Sequence, residues 1–255
     1  MPDRYFCEVV YVERLCDCIF SVIIACDELA GNAQAGQFIH IKCGNERLLR
    51  RPISICSVGS HSLEFVFEVK GEGTRWLSLL QPGDILDVIG PLGNGFSFPE
   101  GNIIVVGGGI GVPPMLFAAQ SARSGVTAVL GFRNSERIIL KKDFESACDE
   151  VYLATDDGSN GVPGPVTPHL EKLILNGKYD AVFACGNHLM LLAVSELCLR
   201  NNIACQVSLE EKMGCGVGAC LVCACAVSIE GRADMRRVCV DGPVFAASDI
   251  DWKAV

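Results

Sequence analysis

The sequence predicts a multi-domain β and α/β protein: an antiparallel β-barrel over residues 1–100, a parallel-sheet α/β domain over 101–210 and a small C-terminal segment over 211–255. Three observations predict this class. Short apolar runs fill the first hundred residues, strand and helix patterns alternate after residue 102, and cysteines cluster beyond residue 211. With 255 residues, 50% of them hydrophobic, the chain can bury more than one core.

The first part of the chain reads as short strands separated by turn signals such as Gly31-Asn32 and Pro82-Gly83-Asp84. Strands of this length and spacing are typical of a small antiparallel barrel. One short helix is predicted at Arg75–Leu80. The predicted strands are Cys7–Val12, Ile19–Ala25, Phe38–Ile41, Ile53–Val58, Leu63–Val69 and Ile85–Ile89.

After residue 102, apolar runs alternate with helical patterns, which predicts a parallel sheet covered on both faces. The predicted strands are Ile103–Val106, Val126–Phe132, Val151–Ala154, Ala181–Ala184 and Ala204–Leu209. The predicted helices are Pro114–Ser124, a short one around Phe144, Val166–Leu175 and Leu189–Arg200. Residues beyond about 211 are rich in Gly and Cys and weakly periodic, so we expect them to fold around a metal site.

Four cysteines in that last segment have the spacing of a plant-type [2Fe–2S] site, C-x4-C-x2-C followed by a distant fourth. They are Cys215, Cys220, Cys223 and Cys239. Small residues between them allow the backbone to approach an inorganic core and to point N–H groups at its sulfurs. These small residues are Gly214, Gly216, Gly218 and Ala219.

Two other interpretations of the cysteines stay open at this point. Structural zinc usually takes two short paired spacings, which this pattern fits poorly. Free cysteines are also often simple core residues. Cys225 lies close by, but it does not match the spacing, and we predict that it is not a ligand.

A glycine run, VVGGGIGVPP at residues 105–114, follows one predicted strand and opens a helix. Free N–H groups and the helix dipole at such a position can bind a pyrophosphate. The spacing departs from G-x-G-x-x-G, so a purely structural tight turn is the alternative.

Two shorter motifs in the barrel could also contact phosphate. Arg51 in Arg51-Pro52-Ile53-Ser54 has a planar guanidinium suited to phosphate, and Gly73-Thr74 precedes the predicted short helix. Taken alone, the first reads as a solvated arginine and the second as a capped turn.

Composition excludes several classes of function. The formal net charge of −9 disfavours a nucleic-acid binder. The first residues, MPDRYFCE, show no apolar signal segment, and no apolar stretch reaches the roughly 20 residues of a membrane span. Although the chain has 15 cysteines, we therefore expect a cytoplasmic protein with reduced thiols, bound to neither nucleic acid nor membrane.

Together the motifs resemble the ferredoxin–NAD(P) reductase superfamily, whose members join a flavin-binding barrel to a pyridine-nucleotide domain. The matching motifs are Arg51-Pro52-Ile53-Ser54, Gly73-Thr74, Gly107–Pro113 and Cys185-Gly186-Asn187 ahead of Leu189-Met190. Three further stretches are similar to the electron-transfer subunits of type B dihydroorotate dehydrogenases. These stretches are Thr155–Ser159, Glu211–Cys215 and Val238–Phe245.

The resemblance implies cofactors and the residues that bind them. FAD would be held by Arg51 at its phosphates, Pro52 and Ile53 on the same strand, Ser54 at the isoalloxazine, and Gly73 and Thr74 at the pyrophosphate. NAD would face Gly108, Gly109 and Gly111, with Asp156 and Gly186 lining the same cleft. The [2Fe–2S] cluster would be held by Cys215, Cys220, Cys223 and Cys239.

The resemblance also implies a partner. In the family, an FMN-containing dihydroorotate dehydrogenase catalytic subunit oxidises dihydroorotate for pyrimidine biosynthesis, and electrons pass through the cluster to FAD and on to NAD+. The flavin belongs between the other two because it exchanges electrons singly or in pairs. We expect a heterotetramer of two catalytic and two electron-transfer subunits. This chain shows no dihydroorotate site and no catalytic acid or base.

Other functions share these cofactors or the cysteines. An NAD(P)H-dependent ferredoxin or sulfide reductase subunit and a hydrogenase diaphorase subunit would have the same cofactors with another partner. A redox sensor or a zinc-stapled interaction module is a non-enzymatic alternative.

Some single residues also leave alternatives open. Arg133 leaves NADP possible beside NAD, and Asp156-Asp157 is also typical of a solvated turn. Asn187 stands where many relatives carry Pro, and we expect His188 to cap or flank the next helix.

Overall fold

Alternating apolar residues fold the first part of the chain into a closed antiparallel barrel with the strand order β1-β2-β5-β4-β3-β6. The computed structural model describes residues 3–44, 48–229 and 231–254. The barrel strands are β1 (Asp3–Cys16), β2 (Ile19–Ala25), β3 (Phe38–Ile41), β4 (Arg51–Val58), β5 (Ser62–Glu68) and β6 (Ile85–Leu92). The predicted barrel is confirmed.

Apolar side chains of the barrel strands fill its core. Val22 and Ile24 of β2 and Phe65 of β5 are fully buried. Two short helices interrupt the barrel, α1 (Asp27–Asn32) and α2 (Glu72–Leu77). The sequence did not predict α1, and α2 begins three residues before the helix predicted at Arg75–Leu80.

The second part of the chain forms a seven-stranded sheet with the order β10-β9-β8-β7-β11-β12-β15. All neighbouring pairs are parallel except the last. The strands are β7 (Ile103–Gly108), β8 (Val126–Phe132), β9 (Glu150–Thr155), β10 (Val162–Pro163), β11 (Ala181–Cys185), β12 (Ala204–Ser208) and β15 (Val244–Ala246). The predicted parallel sheet is confirmed, with β10 and β15 as strands that the sequence did not predict.

The strand order reverses at β7, which lies between β8 and β11. Cys185 at the end of β11 therefore lies beside Gly107 near the end of β7. In parallel sheets such a switch point opens a crevice at the carboxyl ends of the strands, where ligands bind. The helices are α3 (Val112–Ser121), α4 (Lys141–Ala147), α5 (Thr167–Asn176) and α6 (His188–Arg200).

The barrel and the sheet share one continuous core. Helix α3 packs against β4 of the barrel as well as against β7, and the same apolar cluster contains Ile55 of β4 and Val105 of β7. Across the same junction, Arg137 donates hydrogen bonds to Cys18 Sγ (2.9 Å) and to Glu68 Oε1 (3.1 Å). Within residues 3–44, 48–229 and 231–254, no helix is long and apolar enough to cross a membrane.

The C-terminal segment forms a hairpin of β13 (Ala224–Ile229) and β14 (Arg232–Arg237) and then returns to the sheet as β15, antiparallel to β12. On the way it contacts the barrel, because the N–H of Asn94 donates to the carbonyl of Gly242 at 2.6 Å. The N–H of Leu209 donates to the carbonyl of Pro243 at 2.9 Å. The segment therefore joins the two larger parts of the molecule.

Candidate cofactor cleft and cluster loop

A cleft of about 1650 Å³ opens where the barrel, the switch point of the sheet and the C-terminal segment meet. Most of the residues predicted to bind FAD or NAD line it. They are Arg51, Pro52, Ile53, Ser54, Thr74, Gly108, Gly109, Gly111, Asp156 and Gly186. Met213, Gly214 and Val222 of the cysteine segment lie on the same wall. Sequence motifs that are far apart along the chain thus share one cavity.

Gly73 is the predicted residue that lies behind the cleft surface rather than on it. It is buried beneath Arg51, since a Cβ at position 73 would lie 2.5 Å from Arg51 Nε and 2.9 Å from Nη2. The other terminal nitrogen, Nη1, donates to the carbonyls of Leu49 (2.7 Å) and Arg50 (3.2 Å). The guanidinium is therefore held over the first turn of α2.

Thr74 stabilises the start of α2 with its hydroxyl group. Its Oγ1 accepts the N–H groups of Lys70 (2.9 Å) and Gly71 (3.1 Å). The capped-turn interpretation of this motif therefore holds alongside its position in the cleft. Together with Arg51, this turn places donors and a cation at one end of the cavity, which suits the phosphates of a dinucleotide.

The glycine loop and the Cys185-Gly186 turn are in close contact at the switch point. A Cβ on Gly111 would collide with the carbonyl of Cys185, and a Cβ on Gly108 or Gly186 would collide with Met190. Glycine is required at position 111, because there the two backbones approach each other.

Asn187 caps helix α6, a role the sequence did not suggest. Its Oδ1 accepts the N–H of Met190 at 2.9 Å, as an N-cap side chain does. Asn187, which stands where many relatives carry proline, therefore fixes the loop before α6. His188 follows as the first residue of that helix.

The two adjacent aspartates have different environments. Asp156 lines the cleft, and its N–H donates to the carbonyl of Phe132 at 3.0 Å. Asp157 Oδ1 accepts the hydroxyl of Ser159 (2.6 Å) and its N–H (2.9 Å), and these hydrogen bonds lower the pKa of Asp157. The turn interpretation thus applies to Asp157, whereas Asp156 is placed for ligand contact.

The four predicted cluster ligands lie together as two pairs. Cys220 contributes to the lowered pKa of the Cys215 thiol, and Cys223 contributes, after burial, to the raised pKa of the Cys239 thiol. Nowhere in the described part of the chain do three His, Cys, Asp or Glu side chains form a site for a single metal ion. A two-iron core instead takes two thiolates on each iron, which the paired arrangement fits.

The loop between the first two cysteines directs backbone N–H groups at sulfur. Cys215 Sγ accepts the N–H groups of Ala219 (3.2 Å) and Val217 (3.4 Å). Burial opposes ionisation, but these and other donors prevail and lower the pKa of the Cys215 thiol to about 7. Gly216 and Gly218 have φ angles of +71° and +81°, a conformation that other residues rarely adopt. The donor set and the backbone fit a thiolate-bound cluster.

We call residues 215–223, which carry the first three predicted ligands, the cluster loop. Cys225 is buried in β13, which follows directly after this loop. Burial, followed by the charge of Glu211, raises the pKa of its thiol to about 11. Burial likewise raises the pKa of the Cys239 thiol, a predicted ligand, to about 12, so the exclusion of Cys225 rests on its mismatch with the ligand spacing.

His40 on β3 is a residue of this region that the sequence analysis missed. It is 1% exposed, and burial, followed by the charge of Arg50, lowers the pKa of its imidazole to about 4. Its ring contacts the cluster loop, since a Cβ on Gly216 would lie 2.5 Å from His40 Nδ1. A histidine within the apolar strand Phe38–Ile41 offers no local signal of a contact with a loop so distant in sequence.

Comparison with known proteins places these motifs in context. A family model described as the iron-sulfur cluster binding domain of dihydroorotate dehydrogenase B matches residues 210–251. Two relatives share the name dihydroorotate dehydrogenase B (NAD(+)), electron transfer subunit. The one from Caldanaerobacter subterraneus subsp. tengcongensis is 42% identical, over 84% of this chain and 86% of the relative. The one from Geobacillus thermodenitrificans is 39% identical, over 98% and 99%.

Two solved structures extend the comparison to the fold. The NADH-dependent reduced ferredoxin-NADP oxidoreductase, described for flavin-based electron bifurcation, superposes with a TM-score of 0.88 at 30% identity, over 98% of this chain and 91% of that chain. A ferredoxin NADP+ reductase from Neisseria gonorrhoeae with bound FAD and NADP has a TM-score of 0.64 at 17% identity, over 77% and 91%. The second similarity shows the fold alone.

Proposed function

The chain belongs to the family of dihydroorotate dehydrogenase B electron transfer subunits, and we propose that it passes electrons from a dihydroorotate-oxidising subunit through a [2Fe–2S] cluster and FAD to NAD+. The observation that carries the proposal is the single cleft. It brings together the Arg51–Ser54 strand, the glycine loop at the switch point and the start of the cysteine segment.

Each wall of the cleft would have a distinct binding role. The guanidinium of Arg51, held over α2, would bind the FAD phosphates, and Ser54 on β4 would hydrogen-bond the isoalloxazine. Gly108, Gly109 and Gly111 would bind the nucleotide that accepts the hydride, because their backbone lies at the crevice of the sheet.

The cysteine loop would hold the cluster beside this cleft. Cys215 and Cys220 would bind one iron and Cys223 and Cys239 the other, as their pairing suggests. FAD, when bound, supplies the exchange between paired and single electrons. The protein would then need no acid or base of its own. Its role would be to hold the cluster, FAD and the nucleotide in that order.

The partner would dock where the cluster loop is exposed. Cys220 is exposed, and the apolar side chains of Val217, Leu221 and Val222 are 41%, 63% and 55% exposed around it. We propose an FMN-containing catalytic subunit at this surface, in an assembly of two catalytic and two electron-transfer subunits.

The test is to co-purify the chain with a dihydroorotate-oxidising flavoprotein and to measure NAD+ reduction by dihydroorotate. The complex should reduce NAD+, whereas a Cys239→Ala complex should still reduce an artificial dye with dihydroorotate but not NAD+. If the wild-type chain neither binds that flavoprotein nor links dihydroorotate to NAD+, the proposal is wrong.

A second candidate function is supported by the 30% identity over almost the whole chain to the NADH-dependent ferredoxin-NADP oxidoreductase structure. The chain would then serve a larger flavoprotein that exchanges electrons with ferredoxin. Recovery of such a multi-cluster partner from the source cells, in place of a dihydroorotate-oxidising one, would favour this function.

A further inference from the structure

His40 lies between the strand that lines the flavin end of the cleft and the loop that carries the first cluster ligand. It pairs with Pro52 of β4 in the barrel, on one side of that strand. Its Nδ1 faces Gly216, the residue that follows Cys215. Both parts of the predicted electron path therefore meet at one imidazole.

The imidazole has unused hydrogen-bonding capacity. Neither Nδ1 nor Nε2 has a hydrogen-bond partner among the described residues, although the side chain is fully enclosed. Backbone groups of Arg50 and Cys215 lie close enough to the ring to act on it. Because a buried donor without a partner is unfavourable, a small adjustment of either backbone toward the ring is stabilising.

The backbone around His40 is fixed from the barrel side. Arg50 Nη1 donates to the His40 carbonyl (3.2 Å) and to the Asp87 carbonyl (2.9 Å), and Arg50 Nη2 donates to Asp87 Oδ1 (2.8 Å). The ring thus extends from a hydrogen-bonded strand, whereas residues 211–223, which carry the first three cysteines, form no helix or strand.

We propose that His40 is a positioning residue that holds Cys215 of the cluster loop against the flavin strand through a hydrogen bond from its imidazole. This inference rests on the proposed role of Cys215 as a cluster ligand. Because hydrogen bonds and packing around the sulfurs tune the reduction potential of such clusters, His40 also contributes to the cluster potential.

The test uses the full-length chain, purified anaerobically with its cofactors, and substitutions of His40 that remove or keep a donor. His40→Leu should retain iron and FAD but shift the electron paramagnetic resonance g values and lower the midpoint potential of the cluster. Loss of the cluster to a chelator should be about fivefold faster, the ratio that one hydrogen bond of ordinary strength corresponds to. His40→Gln, which keeps an N–H donor, should bring the g values, the midpoint potential and the rate of cluster loss back toward wild type.

His169→Leu is the control for loss of an imidazole with an enclosed ring nitrogen. His169 Nε2 is also enclosed without a partner among the described residues, but the residue lies on α5 and its ring packs against Tyr152, away from the cluster loop. This variant should leave the g values, the midpoint potential and the rate of cluster loss unchanged.

A double-mutant cycle tests the contact itself. Gly216→Ala should hasten cluster loss, partly because the new methyl group meets the His40 ring and partly because φ is +71°. In a His40→Ala background the new methyl group has no ring to meet, so that contribution should vanish. The effects of Gly216→Ala and His40→Ala on the rate of cluster loss should therefore not add. Gly218→Ala, at φ +81° and against Val240, should combine additively with His40→Ala.

Several results would overturn the inference. One is a His40→Leu cluster with wild-type g values, potential and rate of loss. Another is an identical shift in His169→Leu, and a third is additivity between His40→Ala and Gly216→Ala. Because each readout follows the cluster of this chain alone, none depends on the partner. A wild-type chain that binds no cluster would instead refute the proposed function.

Discussion

At the scale of single residues, the contact between Arg51 and Gly73 leads to a prediction about FAD. Gly73→Ala should push the guanidinium away from α2, because the added methyl group would lie 2.5 Å from Nε. Loss of a charge-assisted hydrogen bond costs about 1.5–3 kcal/mol, so FAD should bind roughly ten- to a hundredfold more weakly. Titration of the FAD-free protein with FAD, followed by flavin fluorescence, measures this.

Gly71→Ala is the matched control for that substitution. It lies two residues away, and a Cβ there would have no neighbour within 4 Å. FAD affinity should stay near wild type in this variant. Wild-type affinity in Gly73→Ala would mean that Arg51 does not hold the phosphates.

The cysteines allow a similar pair of substitutions. Cys239→Ala should lose the cluster, because it removes one thiolate of the pair that Cys239 forms with Cys223. Cys225→Ala should keep full iron and sulfide content, since Cys225 does not match the C-x4-C-x2-C spacing of the ligands. Visible absorbance and iron analysis of anaerobic protein measure both. Full iron content in Cys239→Ala would show that the fourth ligand is another residue.

At the scale of secondary-structure elements, one carboxylate connects three strands of the barrel. Asp87 on β6 accepts hydrogen bonds from Arg4 on β1 and from Arg50 next to β4. Burial raises the pKa of Asp87, but the two guanidinium groups prevail and hold it below its usual range.

Asp87→Asn should therefore lower the free energy of unfolding by about 2 kcal/mol at neutral pH, the worth of a hydrogen bond to a charged group. A depressed pKa stabilises the fold above the unfolded value of about 3.9, and that stabilisation is lost as the pH falls through the folded value. The difference between wild type and variant should accordingly shrink below about pH 4, as urea unfolding at several pH values would show. Arg4→Ala, at an exposed end of the network, should lower the free energy of unfolding by less than Asp87→Asn does.

The sequence predicted the elements whose signals lie within their own residues, and it missed those that lack such local signals. Strands β2, β3 and β8 were predicted with the bounds that they have, because each is a short apolar run between turn signals. Helix α1 has six residues and ends in Gly31-Asn32, which reads as a turn. Strand β14, Arg232–Arg237, is mostly exposed and polar, and only its pairing with β13 makes it a strand.

The candidate site shows the same limit. Residues that belong to contiguous motifs, such as Arg51 and Gly108, were predicted from sequence and line the cleft. His40 and Asn187 were not predicted to act as they do. His40 owes its role to a distant contact, and Asn187 owes its role to the geometry of a helix start.

At the scale of the whole molecule, the C-terminal segment is part of the fold rather than an appendage. Val238, Cys239 and Ile250 belong to an apolar cluster with Phe38 of the barrel and Val207 of the sheet. Burial of each large apolar side chain is worth roughly 1.5–3 kcal/mol, and a whole domain is stable by only about 5–15 kcal/mol.

A chain truncated after residue 210 should therefore melt at a much lower temperature than the full chain, or fail to accumulate in folded form. Circular dichroism during heating measures this. A chain truncated after residue 252 loses only exposed residues among those described and should melt like the full chain. Wild-type melting of the shorter chain would show that the barrel and the sheet are independent of the segment.

The return of β15 to the sheet also sets an order of events during synthesis. Strand β12 leaves the ribosome before the four cysteines, and β15 leaves after them. Until then the β12 edge keeps the unpaired backbone groups that invite wrong association in a nascent chain. Pairing of β15 covers that edge and brings Gly242, which follows closely after Cys239, against Asn94. The strand that covers this edge of the sheet thus also anchors the part of the chain that follows the last predicted cluster ligand.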